Sequence, residues 1–93
     1  MGKTRPLSRR QVNENVPNQS GVYDLIDRNG EVAYTGSAGA GRLRQRLNEH
    51  AVQGDVPGVT QFRFRPTSST EQARRVEAQR IADLKPRHNR QGK

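Results

Sequence analysis

Glu77 is the acidic residue whose position most needs a chemical reason. The segment from Ser68 to Leu84 reads as a helix closed by Pro86, with a capping box at Ser68/Glu71 or Ser69/Gln72 to start it. With Val76 at 0°, Ala73 falls at ~60°, Leu84 at ~80°, Glu77 at ~100° and Ile81 at ~140°. Glu77 therefore sits inside the apolar arc, where Glu71 and Asp83 do not. A carboxylate turned inward must be paired or must coordinate a cation. An ion pair with Arg80, three residues on, is one account. A metal ligand in a cleft between helix and sheet is the other.

Two further groups stand out. Arg46 and His50 lie four residues apart, on one edge of a short helix from Arg42 to about Ala51 whose buried stripe is Leu43 and Leu47. Tyr23 and Tyr34 are the two tyrosines of the chain, and one hairpin holds both. Other chemistries are excluded. Two histidines without a cysteine cannot build a closed zinc site. No Ser/His/Asp order supports a nucleophilic triad. The small-residue loop Gly36–Gly41 would let a phosphate approach the backbone, but it lacks the Lys-Ser/Thr ending of a nucleoside triphosphate loop.

The elements that position these groups follow from pattern. Val22–Ile26 and Glu31–Thr35 read as strands joined through Asp27-Arg28-Asn29-Gly30, whose Asn-Gly tolerates left-handed backbone. Val59–Arg65 alternates with period two, with Phe62 and Phe64 inward and Arg63 and Arg65 outward. Residues 1–19 read as a charged arm, touching the body through Leu7, Val12 and Val16.

Composition frames this reading. The chain has 93 residues, 17 Lys and Arg against 9 Asp and Glu, and a net charge of +8. The excess lies at the ends. Lys3, Arg5, Arg9 and Arg10 stand in residues 1–10, and Lys85, Arg87, Arg90 and Lys93 in residues 85–93, with no acid in either stretch. A neutral body with basic ends suits a polyanion. Leu, Ile, Val and Phe make up about 18% of the chain, under the ~20% typical of disordered charged chains; the patterned middle predicts a small core of modest stability. No apolar run approaches the ~20 residues of a membrane span, and MGKTRPLSRR lacks the apolar core of a secretory leader. The expectation is one cytoplasmic domain with no membrane partner.

Five motifs, in order, then fit a known pattern. Gly21-Val22-Tyr23, Tyr34-Thr35-Gly36, the helix Leu43–His50 with Arg46 and His50, Glu77 through Ile81, and Lys85-Pro86-Arg87-His88-Asn89 together make the chain resemble the GIY-YIG nuclease superfamily. The resemblance spans about residues 20–89 and is nearest to small stand-alone members and to the N-terminal nuclease domain of the bacterial excision-repair endonuclease. It implies an α+β fold, a small three-stranded sheet flanked by helices in the order β-β-α-β-α, between a basic arm (1–19) and a basic tail (90–93).

The resemblance also implies a function: a metal-dependent endonuclease, a hydrolase that nicks or cuts DNA, of the kind used in DNA repair. The alternative is a weakly catalytic or non-catalytic module that binds DNA or RNA. Tyr23, Tyr34, Arg46, His50, Glu77 and Asn89 are the implied catalytic set. Glu77 would hold Mg²⁺ or Mn²⁺, Arg46 the phosphate, and Tyr23, preferred over Tyr34, would take the water's proton. Gly36, Ser37, Arg42, Arg44, Lys85 and Arg87 are the expected nucleic-acid contacts. Specificity would come from a homodimer or a partner protein. The sequence departs from the family pattern at three places. Thr35 replaces the usual Ile, the loop from Gly36 lacks the family's Lys near Ala38, and Arg80 replaces a Leu, where pairing with Glu77 would compete with a metal.

Overall fold

The computed structural model describes residues 2–89, so the tail over 90–93 lies outside the described residues. The elements are β1 (Arg5–Pro6), α1 (Arg9–Asn15), β2 (Ser20–Asp27), β3 (Val32–Ala38), α2 (Leu43–Gln53), β4 (Val59–Thr67), α3 (Thr70–Leu84) and a 3₁₀ turn (Arg87–Asn89). The architecture is the expected α+β. The sheet is antiparallel in the order β1-β4-β2-β3 and has four strands rather than three. The fourth is the two-residue β1, pairing Arg5 with Phe62 and Pro6 with Gln61.

Local chemistry sets most boundaries. Asp27 Oδ1 accepts from the N–H groups of Asn29 (2.9 Å) and Glu31 (3.0 Å), closing the β2–β3 turn. The cap of α3 is Ser69, whose Oγ accepts from Gln72 N–H at 3.0 Å. The glycine loop is shorter than its composition implies. Gly36, Ser37 and Ala38 belong to β3, opposite Tyr23, Val22 and Gly21, because pairing with the central strand overrides the weak strand propensity of small residues.

Residues 1–19 are not a free arm. Ser8 Oγ caps α1 by accepting from Gln11 N–H, and Val12 and Val16 are buried with Leu43 and Leu47 of α2. A seven-residue helix is too short to announce itself by periodicity and forms because it packs.

The sheet has two unlike faces. Tyr23, Leu25 and Phe62 turn toward α1 and α2 and form the apolar core, with Phe64 half-buried at its margin. The other face meets α3 and is mixed, with Val22, Ile26 and Ala33 buried beside polar groups. Asp24 there is fully buried. It accepts from Thr35 Oγ1 (2.8 Å), Arg63 Nε (2.8 Å) and Arg80 Nε (3.3 Å), and also from Arg80 Nη2. Two expectations fail here. Leu84 is 42% exposed rather than part of a buried arc, and Arg63 points into this cluster rather than to solvent. Ala73 is the one fully buried residue of α3, and the Arg80–Asp24 pair joins it in docking the helix. No described helix is long and apolar enough to cross a membrane.

Candidate active site

Gly36 explains how the two tyrosines come together. It faces Tyr23 across the β2–β3 ladder, and a methyl group on it would lie 2.5 Å from Tyr23 Oη and 2.6 Å from Cζ. The Tyr23 ring lies flat against that bare backbone. Tyr34, two residues earlier on β3, falls on the same face of the sheet. The ring centroids of Tyr23 and Tyr34 are 6.3 Å apart, and His50 stands 5.4 Å from the first and 5.6 Å from the second.

Helix α2 delivers Arg46 and His50 to the same place, one turn apart. His50 is buried, and its Nε2 lies 2.8 Å from Tyr23 Oη. Its Nδ1 lies 2.8 Å from Asp55 Oδ1. Asp55 went unnoticed in the sequence. The signal was Gly54, which ends α2 in left-handed backbone (φ 60°) with its N–H on His50 C=O and turns the chain back under the histidine.

A cavity of about 280 Å³ is walled by Tyr34, Arg46, His50, Asp55, Val56 and His88. A second, of about 190 Å³, is walled by Ser37, Ala38, Gly39, Arg42 and Arg46. Arg46 is shared by both. Glu77 approaches the second from α3, where its Oε1 accepts from Ser37 Oγ at 2.6 Å. Arg80 is committed to Asp24, so the expected Glu77–Arg80 pair does not form.

The phenols feel these charges. Burial pushes the Tyr23 phenol far above its ordinary value, and Tyr34 and Glu77 add to the rise; the Arg46 guanidinium pulls it down through charge and hydrogen bonding. Tyr34 is raised by burial and then by Glu77, and lowered by Arg46. Tyr23 has no exposed surface, whereas Tyr34 forms part of the cavity wall. Of the two phenols, Tyr34 is the one that opens on this cavity.

The remaining expected residues divide. Asn89 accepts from Thr35 N–H (2.8 Å) and donates to Thr35 C=O (3.0 Å), pinning the 3₁₀ turn beside Tyr34 rather than reaching into the cavity. Arg42 faces the second cavity with Ser37. Gly36 is covered by Tyr23. Arg44 donates from Nε to Val16 C=O at 2.7 Å and lines a separate groove between α1 and α2 that holds none of the catalytic candidates. Arg87 binds Asp27 at 2.8 Å, and that hydrogen bond holds the Asp27 carboxyl below its ordinary range. Lys85, the left-handed cap of α3, lines a groove with Arg87, Leu84, Glu31 and Val32.

One carboxylate and one hydroxyl are a sparse donor set. Among the described residues no group of three or more His, Cys, Asp and Glu could hold a metal. Such a set suits a magnesium ion, which keeps most of its waters and takes one or two carboxylates. It does not suit zinc or calcium.

This arrangement sits on a known fold. The chain is similar to the GIY-YIG N-terminal endonuclease domain of UvrC from Thermotoga maritima, solved bound to its catalytic magnesium, with a TM-score of 0.69, 22% identity, and coverage of 87% of this chain and 94% of that one. At that identity the likeness is one of fold. The chain belongs to the family described as a domain of unknown function, DUF7508, which matches residues 3–83. That match takes in β1 and α1. No curated protein matches.

Proposed function

We propose that this chain is a divalent-metal-dependent endonuclease of GIY-YIG type that hydrolyses DNA phosphodiester bonds. The observation that carries the reading is the position of Arg46, which borders both cavities and acts electrostatically on both phenols. Its planar fork would hold the non-bridging oxygens of a phosphate lying across the two. Tyr34 Oη, at the wall of the larger cavity, takes the proton of the attacking water in its phenolate form as the water oxygen bonds to phosphorus, and the ester oxygen that leaves takes up a proton from solvent. Arg46 lowers the phenol for that task, while burial and Glu77 oppose it. A divalent cation held by Glu77 beside Ser37 would neutralise phosphate charge and offset the upward pull of Glu77 on both phenols. Tyr23 and His50 hold the frame in which Arg46 and Tyr34 work. Arg42 offers a phosphate contact at the smaller cavity, while Ser37 orients Glu77.

Supercoiled plasmid with Mg²⁺ tests this. The wild type is expected to nick, and Glu77→Ala or chelation to abolish nicking. Plasmid binding without nicking by both proteins supports the second reading, a nucleic-acid-binding module. The raised Tyr34 phenol favours that reading, because a binder needs no proton acceptor.

A further inference from the structure

A carboxylate at one end of a hydrogen-bonded chain dictates the direction of the bonds that follow it. Asp55, when ionised, offers only acceptors, and Arg46 only donors. Between them stand His50, 2.8 Å from Asp55 Oδ1 through Nδ1, and Tyr23, 2.8 Å from His50 Nε2 through Oη. We propose that Asp55 is a positioning residue: it accepts from His50 Nδ1–H, fixes the tautomer whose bare Nε2 receives the Tyr23 hydroxyl, and so turns the phenol's lone pairs toward the Arg46 guanidinium. The functional consequence rests on the nuclease reading above.

The opposite tautomer breaks the chain. With the proton on Nε2, His50 donates to Tyr23 Oη, and the phenolic hydrogen must turn elsewhere. The hydrogen is then free to turn to the side facing Arg46, where donor would meet donor. Arg46 has another partner waiting, since its Nη1 is 3.7 Å from Glu49 Oε1 on the exposed side of α2. Without the phenol's acceptor, the guanidinium would relax toward Glu49 and away from the two cavities. A histidine's tautomer is set by the bond its other nitrogen makes, and carboxylates commonly do this for histidines in working sites.

Asp55 is suited to the role and to little else. Its side chain is 49% exposed, and His50 is the partner it bonds. Val56, next to it, packs against the core, which anchors the loop. Its removal should therefore leave the fold intact.

The test reads the tautomer directly. A two-bond ¹H–¹⁵N spectrum of the full ¹⁵N-labelled chain, with His88→Gln used to assign the two rings, is expected to show His50 protonated at Nδ1 and bare at Nε2. Asp55→Ala is expected to shift His50 toward the Nε2–H form and lower plasmid nicking about 10- to 100-fold, with an unchanged melting curve. Asp55→Glu is expected to restore part of both. Nε2–H in the wild type overturns the proposal. So does an Asp55→Ala protein that keeps the wild-type tautomer, or one that changes tautomer and nicks at the full rate. If the wild type binds DNA but never nicks, the nuclease reading fails while the spectrum, which needs no substrate, still decides what Asp55 does.

Discussion

Arg80 on α3 binds Asp24 on the central strand and leaves Glu77, one turn before it, without a cationic side-chain partner among the described residues. Asp24 is fully buried and shared by Arg63, Arg80 and Thr35. This explains two departures from the family pattern together. The Thr that replaces Ile supplies a hydroxyl to the carboxylate, and the Arg that replaces Leu supplies its charge. Neither change reaches Glu77.

A first prediction follows from the unequal shares in that cluster. Asp24→Ala strands two arginines beside each other under α3 and is expected to cost about 3–5 kcal/mol, the usual penalty for breaking a buried pair. Arg80→Leu leaves Arg63 and Thr35 on the carboxylate and is expected to cost less, about 1–2 kcal/mol. Urea unfolding measures both. Isothermal titration of Mg²⁺ into Arg80→Leu should give the wild-type affinity; tighter binding would show that Arg80 does compete at Glu77.

The floor of the site gives a second. Gly36→Ala puts a methyl group 2.5 Å from the Tyr23 phenol oxygen, well inside van der Waals contact. The ring must lift, and with it goes its hydrogen bond to His50. Overpacking of this kind costs about 1–3 kcal/mol. The melting temperature should fall, and nicking should fall further than the drop in folded protein explains. A variant with wild-type melting and nicking would mean that the ring is not seated on that glycine.

Ser37 carries a third. Its hydroxyl orients Glu77 at 2.6 Å, and removing such a supporting partner typically weakens metal binding about 10- to 100-fold. Ser37→Ala should therefore raise the Mg²⁺ concentration needed for half-maximal nicking, with the rate at saturating Mg²⁺ nearly intact. A lowered plateau at unchanged Mg²⁺ dependence would place Ser37 on the phosphate instead.

How far the sequence speaks is clearest at residues such as these. The hairpin, α2, β4 and α3 are all legible, because turn chemistry, period-two alternation and the Leu43/Leu47 stripe are local signals. Tyr23, Tyr34, Arg46 and Glu77 can be chosen from motif and spacing, though only the folded chain shows which phenol faces the cavity. What local pattern does not carry is pairing across the fold. Asp24 looks like an ordinary polar strand residue until Arg63 and Arg80 arrive from 39 and 56 positions away. Asp55 looks like loop until Gly54 turns it under His50. Val12 and Val16 read as contacts of the arm with the body, but the helix that carries Val12 and the surface both bury against appear only in the fold.

Alkaline pH gives a fourth prediction. Burial raises the Tyr23 phenol above the ~10 of an unfolded chain, and Tyr34 is raised as well. Above that pH the unfolded chain has given up protons that the native state keeps, so stability falls as pH rises; below it the contribution is fully present. Melting temperature should decline from about pH 10 upward, and tyrosinate absorbance should appear together with unfolding. Tyr23→Phe should cost about 1 kcal/mol at neutral pH, the worth of its His50 hydrogen bond, and decline less steeply in alkali. Tyrosinate that forms in the folded protein near its ordinary value would contradict the sealed phenol.

The N-terminal charges need a test that spares the fold. Deleting residues 1–16 would remove β1 and α1 and strip Val12 and Val16 from the core, so weak DNA binding by such a deletion would report unfolding. Lys3 and Arg5 instead line one groove with Arg65 at the edge of β4. Changing these three to Gln keeps the backbone pairing of Arg5 with Phe62, which uses no side chain. Every cationic side chain taken off a duplex phosphate reduces the slope of log affinity against log salt by about 0.9. If DNA crosses this groove, the triple variant should flatten the slope by about 2–3, measured by anisotropy of a labelled duplex between ~50 and ~200 mM salt. The melting curve should be that of the wild type. An unchanged slope in a folded triple variant would remove this edge from the DNA path and leave Arg42 and Arg46 as the residues that hold phosphate at the site.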